Sequence, residues 1–189
     1  MCIRDSAWSP TGPILTQAAG GAELIVNINA SPYYAGRLRE RETMLATRAA
    51  DASAPILYVN LVGGQDELVF DGASLFVDDT GEVIARARQF EEDLLVVDVD
   101  LHSGLRRRTR DPRARSRAVP LPEIPVSDVQ LGEAPVAPRV EQPLSPVREV
   151  YEALVLGTRD YVAKNGFSDV VVGLSGGIDS SLVAAIAAD

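Results

Sequence analysis

The sequence predicts an α/β chain in two parts: a mixed sheet first, then the opening strand–helix unit of a second, parallel sheet. Three observations predict this. β-rich runs alternate with a charged amphipathic segment over residues 7–104. A Pro- and Arg-rich stretch covers residues 105–144. A Ser/Gly-rich turn then joins an apolar run to a second helical pattern just before the end.

The elements follow in order. Leu24-Ile25-Val26-Asn27-Ile28 is a short apolar strand. Arg37 to Ala52 is a charged helix whose apolar positions are Leu38, Met44, Leu45, Ala49 and Ala52. Ile56 to Val62 is a β-rich run ending at Gly63-Gly64. Ala73 to Val77, the turn Asp78-Asp79-Thr80-Gly81 and Glu82 to Ala85 read as a hairpin. Leu94 to Asp100 is a further strand. The order β-α-β-β-β-β calls for a mixed sheet, since a direct hairpin is antiparallel and a βαβ unit parallel.

Residues 105–144 change character. Seven Arg fall between Arg106 and Arg117, and eight of the twelve Pro lie between Pro112 and Pro146. This reads as a connecting segment whose arginines are solvated or pair with acidic surface; binding an anionic partner is the alternative. At Ser145-Pro146 an N-cap precedes Pro at the first helical position. Val147, Val150, Tyr151, Leu154 and Tyr161 then recur near helical spacing until Asn165-Gly166 stops the helix.

The most informative segment is Ser175-Gly176-Gly177-Ile178-Asp179-Ser180-Ser181. It lies between the apolar run Val170 to Leu174 and the helix-like run Leu182 to Ala188. Such a turn suits phosphate: glycines allow close backbone approach, and the N–H groups of the helix start face the anion. Asp179 would repel a polyphosphate unless a cation such as Mg²⁺ bridged them. It is not a Walker loop, which needs Gly-Lys-Ser/Thr, because the only lysine, Lys164, lies upstream. A plain helix-capping turn is the alternative, against which the flanking pattern and Asp179 weigh.

Composition sets bounds. With 189 residues and 46% hydrophobic residues the chain can bury a core, as one domain or two small ones. Its net charge of −9 gives no ground for a nucleic-acid partner. A single Cys excludes an internal disulfide framework and suits a reducing compartment. No apolar run approaches the roughly 20 residues of a membrane span, and there is no signal-peptide pattern. A cytoplasmic protein is expected.

Gly173-Leu-Ser-Gly-Gly-Ile-Asp-Ser180 resembles the pyrophosphate loop of the ATP pyrophosphatases. With Val150 to Phe167 before it, the segment 145–189 looks like the start of a NAD⁺ synthetase domain. Residues 7–104, through Asn29-Ala-Ser-Pro-Tyr33 and Val59-Asn-Leu-Val-Gly-Gly-Gln-Asp-Glu-Leu-Val-Phe-Asp-Gly72, look like the later part of a nitrilase-type glutaminase domain, an α-β-β-α sandwich. Together they resemble the glutamine-dependent NAD⁺ synthetases. The resemblance implies a Rossmann-like, adenine-nucleotide α-hydrolase-like fold for the second part.

What it implies chemically is two sites. A Glu-Lys-Cys triad releases ammonia from glutamine through a thioester. Mg-ATP adenylates the nicotinate carboxylate of deamido-NAD⁺, and ammonia displaces AMP. The family's ATP segment maps to Gly173, Leu174, Ser175, Gly176, Gly177, Ile178, Asp179 and Ser180. Ser175, Gly177 and Ser180 meet phosphate oxygens, and Asp179 meets Mg²⁺. Ser31 and Arg37 match positions that hold glutamine. A guanidinium suits an α-carboxylate because it can grip it with two parallel bonds. On spacing alone Ser31 is a turn cap before Pro32 and Arg37 a helix-surface charge; only the family pattern reverses this. Asp66 and Glu67 are implied to be structural or communicating, and the parent enzyme to be a homo-oligomer.

The match fails at the family's nucleophile elbow, apolar-Cys-Glu-Asp-x-Trp. Trp8 and Ile3 fit, but Arg4 stands in the Cys slot and Asp5 and Ser6 replace Glu and Asp. Cys2 is two residues early and reads as non-catalytic, and His102 reads as a surface residue. Residues 1–6 are expected to be a non-native leader. The chain is expected to be an internal fragment, cut also after Asp189, that lacks the catalytic triad and is inactive alone. Rival readings are an asparagine or GMP synthetase, which carry other amidase types, a stand-alone nitrilase-fold amidohydrolase, and an inert adaptor.

Overall fold

The computed structural model describes residues 6–110, 121–126 and 136–189. Cys2, Ile3, Arg4, Asp5 and the arginines from 113 to 117 lie outside them.

The chain opens with a short helix that the apolar pattern did not reveal, α1 (Pro13–Ala19), with Pro13 in its first turn and Ile14 and Ala18 buried. Strand β1 (Ile25–Asn29), helix α2 (Arg37–Ala52) and strand β2 (Ile56–Asn60) form a βαβ unit, with β1 parallel to β2 in the register Ile25↔Ile56 to Asn29↔Asn60. β5 (Leu75–Val77) and β6 (Val83–Arg86) continue antiparallel, so the sheet order is β1-β2-β5-β6 and the sheet is mixed, as expected. Residues 139–141 return to the free edge of β6, where Arg86 N–H donates to the Arg139 carbonyl at 2.9 Å and Glu141 N–H to that of Arg86 at 3.1 Å.

α1 and α2 cover one face of this sheet. Ile14, Leu38, Met44, Leu45, Ala49, Ile56, Tyr58, Leu75 and Val77 make the main core. All five apolar positions expected on α2 are buried, and so is Arg41, at 0% exposure.

Three expectations are corrected. The run Ile56 to Val62 is not one strand ending at Gly63-Gly64: β2 stops at Asn60 and a new strand starts at Val62. Those glycines lie inside β3 (Val62–Gln65), which pairs antiparallel with β4 (Leu68–Asp71) as a separate two-stranded sheet, turning at Asp66 in the left-handed region (φ 51). Leu94 to Asp100 and Val170 to Leu174 form neither strand nor helix. Both are β-rich, yet a strand needs a neighbour to take its backbone groups, and neither has one among the described residues.

The Arg-rich stretch begins in a helix, α3 (His102–Arg110). Its arginines meet acidic and carbonyl groups: Arg106 lies 3.8 Å from Asp100, and Arg107 donates to the Asp79 carbonyl at 3.1 Å. His102 is exposed, as expected. Helix α4 (Pro146–Lys164) starts at Ser145, whose hydroxyl accepts the Arg148 N–H at 3.4 Å. Helix α5 (Ile178–Ala188) has no buried residue.

α4 lies against β3 and β4. Its buried positions are Glu149, Ala153, Val155 and Leu156, whereas Val147 and Leu154 stay exposed. Ala153 and Leu156 form a second apolar cluster with Phe90, Tyr33, Val62, Val69 and Leu144.

Candidate functional site

Three groups of residues carry chemistry. The first is the loop before α5. Gly177 is its N-cap in extended backbone, and Gly176 takes φ 81, a conformation that favours glycine. The Ser180 hydroxyl is the hub of the turn. It accepts the Ser175 N–H at 3.2 Å, sits 3.1 Å from the Ser175 hydroxyl and donates to the Gly177 carbonyl at 3.0 Å. Ser181 donates to the same carbonyl at 2.9 Å.

The first-turn N–H groups of α5, at residues 178–180, have no acceptor within the helix. Asp179 is exposed in that turn. A Cβ placed at Gly173 or Gly176 would meet nothing within 4 Å, so both glycines border open space. Hydroxyls, helix-start N–H groups and one hard carboxylate fit a Mg²⁺–polyphosphate. The loop shape is thus set by local bonds, although the run before it has no ladder partner.

The second group surrounds Ser31. Asn60 clamps the Ser31 peptide: its Oδ1 accepts the Ser31 N–H at 2.8 Å and its Nδ2 donates to the Ser31 carbonyl at 3.3 Å. That Nδ2 also donates to Asp71 Oδ1 at 3.2 Å. Asp71 is in turn gripped by both amino groups of Arg41, at 2.8 and 3.2 Å, with both side chains fully buried. The relay runs from α2 through β4 and β2 to the loop holding Ser31. The sequence reading missed Asn60, Asp71 and Arg41. The available signal was the position of Arg41, three residues after Leu38 and four before Leu45, squarely on the apolar stripe of α2.

Arg37 is no free surface charge. Its side chain is 16% exposed and its guanidinium stacks over Trp8 at 4.1 Å and over Tyr34 at 4.9 Å. One amino group donates to the Tyr34 hydroxyl at 2.7 Å, while the buried Nε–H has no partner among the described residues. The same amino group lies 3.4 Å from Glu40 Oε2, so the guanidinium is already paired with a carboxylate.

Tyr33 precedes it. Its N–H donates to the Val69 carbonyl at 2.7 Å and its ring meets Phe90 edge-on at 5.1 Å. Burial, with the charges of Glu149 and Asp71 adding, pushes the phenol up to about 12. Burial also pushes the Glu149 carboxyl above the usual range; the Gly36 N–H opposes this, Asp71 adds to it and the Gln89 amide opposes it.

The third group joins β3 to α4. Asp160 accepts the Gly64 N–H at 2.8 Å, and Lys164 donates to the carbonyl of the same residue. Burial works against the Asp160 charge, but the Gly64 N–H and the Lys164 and Arg159 charges outweigh it and hold the carboxyl below 3.8. The helix can come this close because a Cβ on Gly64 would lie 3.1 Å from the Gly157 Cα. Asp66 and Glu67 lie exposed at the turn of this hairpin, where Asp66 Oδ2 accepts from the Gln65 amide at 3.4 Å.

The carbon-nitrogen hydrolase family model matches residues 7–108, more than half of the chain. The chain belongs to the carbon-nitrogen hydrolase family. A second family model, NAD synthase, matches residues 150–189.

Curated relatives are similar along nearly the whole chain. Glutamine-dependent NAD(+) synthetase of Aquifex aeolicus is 47% identical over 99% of this chain and 33% of its own length. That of Thermotoga maritima is 45% identical, again over 99% of this chain and 33% of its own. The chain therefore spans about a third of the length of these curated relatives. Among solved structures, glutamine-dependent NAD+ synthetase from Acinetobacter baumannii in complex with ADP is similar with a TM-score of 0.65 and 35% identity, over 92% of this chain and 27% of that one. No helix among the described residues is long and apolar enough to cross a membrane.

Proposed function

We infer that this chain is part of a ligase that makes NAD⁺ from deamido-NAD⁺, ATP and ammonia taken from glutamine. The observation that carries this reading is that one chain joins a carbon-nitrogen hydrolase core to a Ser-Gly-Gly-Ile-Asp-Ser turn at the N-terminus of α5. Neither half alone calls for the other. An amidase next to an adenylating site makes sense when the released ammonia is the second substrate.

In this reading residues 7–104 are glutaminase, 105–144 a connecting segment and 145–189 the start of the synthetase. Arg37 takes the α-carboxylate of glutamine, and Ser31, in a loop fixed by Asn60, is a second ligand of it. Gly173 to Ser180 take the phosphates of ATP, with Ser175, Gly177 and Ser180 on phosphate oxygens, and Asp179 holds Mg²⁺. The metal would neutralise the charge that builds on the α-phosphate and the departing pyrophosphate. A carboxylate oxygen of the nicotinate attacks the α-phosphorus and pyrophosphate leaves. Ammonia then attacks the acyl carbon and AMP leaves.

The test is to sequence the source DNA across both ends of this reading frame and to assay the product of the frame found there. With glutamine labelled at the amide nitrogen, ATP and deamido-NAD⁺, label should enter NAD⁺ with one AMP formed per turnover. Absence of label in NAD⁺, in an enzyme that hydrolyses glutamine, would sink the reading.

A further inference from the structure

The Arg41–Asp71 pair occupies a place where two apolar side chains would serve the core as well. Both side chains are fully buried, one on the apolar stripe of α2 and the other at the end of β4. Replacing a buried ion pair by apolar residues of similar volume is often neutral or stabilising, so stability alone does not account for it. What the pair touches beyond itself is the Gly72 carbonyl, 3.4 Å from Arg41, and the side chain of Asn60.

Asn60 can turn its amide two ways, and the pair selects one. A carboxylate held by Arg41 offers acceptors only, so Asn60 presents Nδ2 to Asp71 Oδ1, at 3.2 Å. That leaves Oδ1 for the Ser31 N–H, at 2.8 Å, while Nδ2 also reaches the Ser31 carbonyl at 3.3 Å. A flipped amide would set oxygen against the Asp71 carboxylate and N–H against N–H. The backbone of Asn60 is fixed as well: the residue closes β2 opposite Asn29, and its N–H donates to the Ser74 hydroxyl at 3.1 Å. Both backbone polar groups of Ser31 are thus taken by one side chain, whereas its hydroxyl has no hydrogen bond among the described residues.

We propose that Asn60 is a positioning residue for the glutamine site: the Arg41–Asp71 pair holds its amide in the orientation that pins the Ser31 peptide, which leaves the Ser31 hydroxyl for the ligand. This rests on the reading of Ser31 as a glutamine ligand.

The test follows two signals in this chain: amide exchange at Ser31 relative to Tyr33, and the Ser31 resonance as glutamine is titrated. The Tyr33 N–H goes to the Val69 carbonyl and does not use Asn60, so the ratio reports the clamp and not general loosening. In Asn60→Ala the ratio should rise roughly tenfold, the effect of one lost hydrogen bond. Glutamine should then bind severalfold more weakly. The double variant Arg41→Met with Asp71→Leu keeps the core filled, and it too should raise the ratio and weaken glutamine while denaturing near the wild type. Val77→Ala, a truncation in the core on β5, should lower the denaturation midpoint but leave the ratio and the glutamine affinity unchanged. An unchanged ratio in Asn60→Ala overturns the positioning role, and an unchanged ratio in the double variant overturns the part given to the ion pair. A raised ratio with wild-type glutamine affinity also overturns the proposal, because the clamp then serves only the fold. A wild-type Ser31 resonance that ignores glutamine overturns instead the reading of Ser31 as a ligand, and that failure is visible before any variant is made.

Discussion

Asp160 and Gly64 are 96 residues apart in the chain, yet the carboxylate of one accepts the backbone N–H of the other at 2.8 Å. With Lys164 on the carbonyl of Gly64, two side chains one helical turn apart hold both polar groups of a single residue, as a neighbouring strand would. This contact ties the synthetase-like helix to the hydrolase core.

The closeness of that contact predicts the effect of a methyl group. In Gly64→Ala the new Cβ would lie 3.1 Å from the Gly157 Cα and 3.2 Å from the Asp160 Cβ. The backbone of α4 cannot yield as a flexible side chain would. Urea denaturation should show a loss of about 1–3 kcal/mol, the usual cost of overpacking.

Asp160→Ala should cost about 1–3 kcal/mol at neutral pH, since it leaves the Gly64 N–H without its charged acceptor. The pH dependence has a definite sign. The folded carboxyl is held below 3.8, so its stabilisation is present above that value and is lost as pH falls through the lower, folded value. Denaturation midpoints of wild type and variant should therefore converge in acid. A gap that persists to the lowest accessible pH would show that the charge is not what matters.

The Arg41–Asp71 pair is fully buried on both sides. Asp71→Ala should cost about 3–5 kcal/mol, because it strands a guanidinium in the core. The double replacement Arg41→Met with Asp71→Leu should be much milder. A thermodynamic cycle over the two sites by chemical denaturation measures this directly, and additive losses would argue against a coupled pair.

Asp179→Asn should abolish the Mg²⁺ dependence of ATP binding while leaving the turn intact, because the turn is held by Ser175, Ser180 and Gly177 and not by Asp179. Isothermal titration of ATP with and without Mg²⁺ would check it. Equal Mg²⁺ dependence in wild type and variant would remove Asp179 from the metal.

What was legible in the sequence was local. The bounds of α2, the Ser145 cap of α4 and the turn at residues 175–181 follow from spacing and capping within a few residues. So did the mixed sheet, because a helix between two strands and a tight turn between two others each fix a direction. What was not legible depended on neighbours far off in the chain. Leu94 to Asp100 and Val170 to Leu174 have strand composition, but composition does not supply a partner strand. Gly63-Gly64 read as a strand end because glycines usually mark one; here they are the place where a helix approaches. Arg41 was passed over because its charge hid its position on an apolar stripe. α1 is seven residues long, too short for its periodicity to stand out.

The late position of α4 also bears on how the chain is made. The sheet and α2 are complete by Arg86, but Ala153 and Leu156 are synthesised more than sixty residues later. At about 5–20 residues per second, Phe90, Val62 and Val69 spend several seconds outside the ribosome before their cover arrives. During that interval the hairpin of β3 and β4 presents an uncovered apolar face. Any pause in translation before α4 lengthens the period in which a nascent chain can stick to its neighbours.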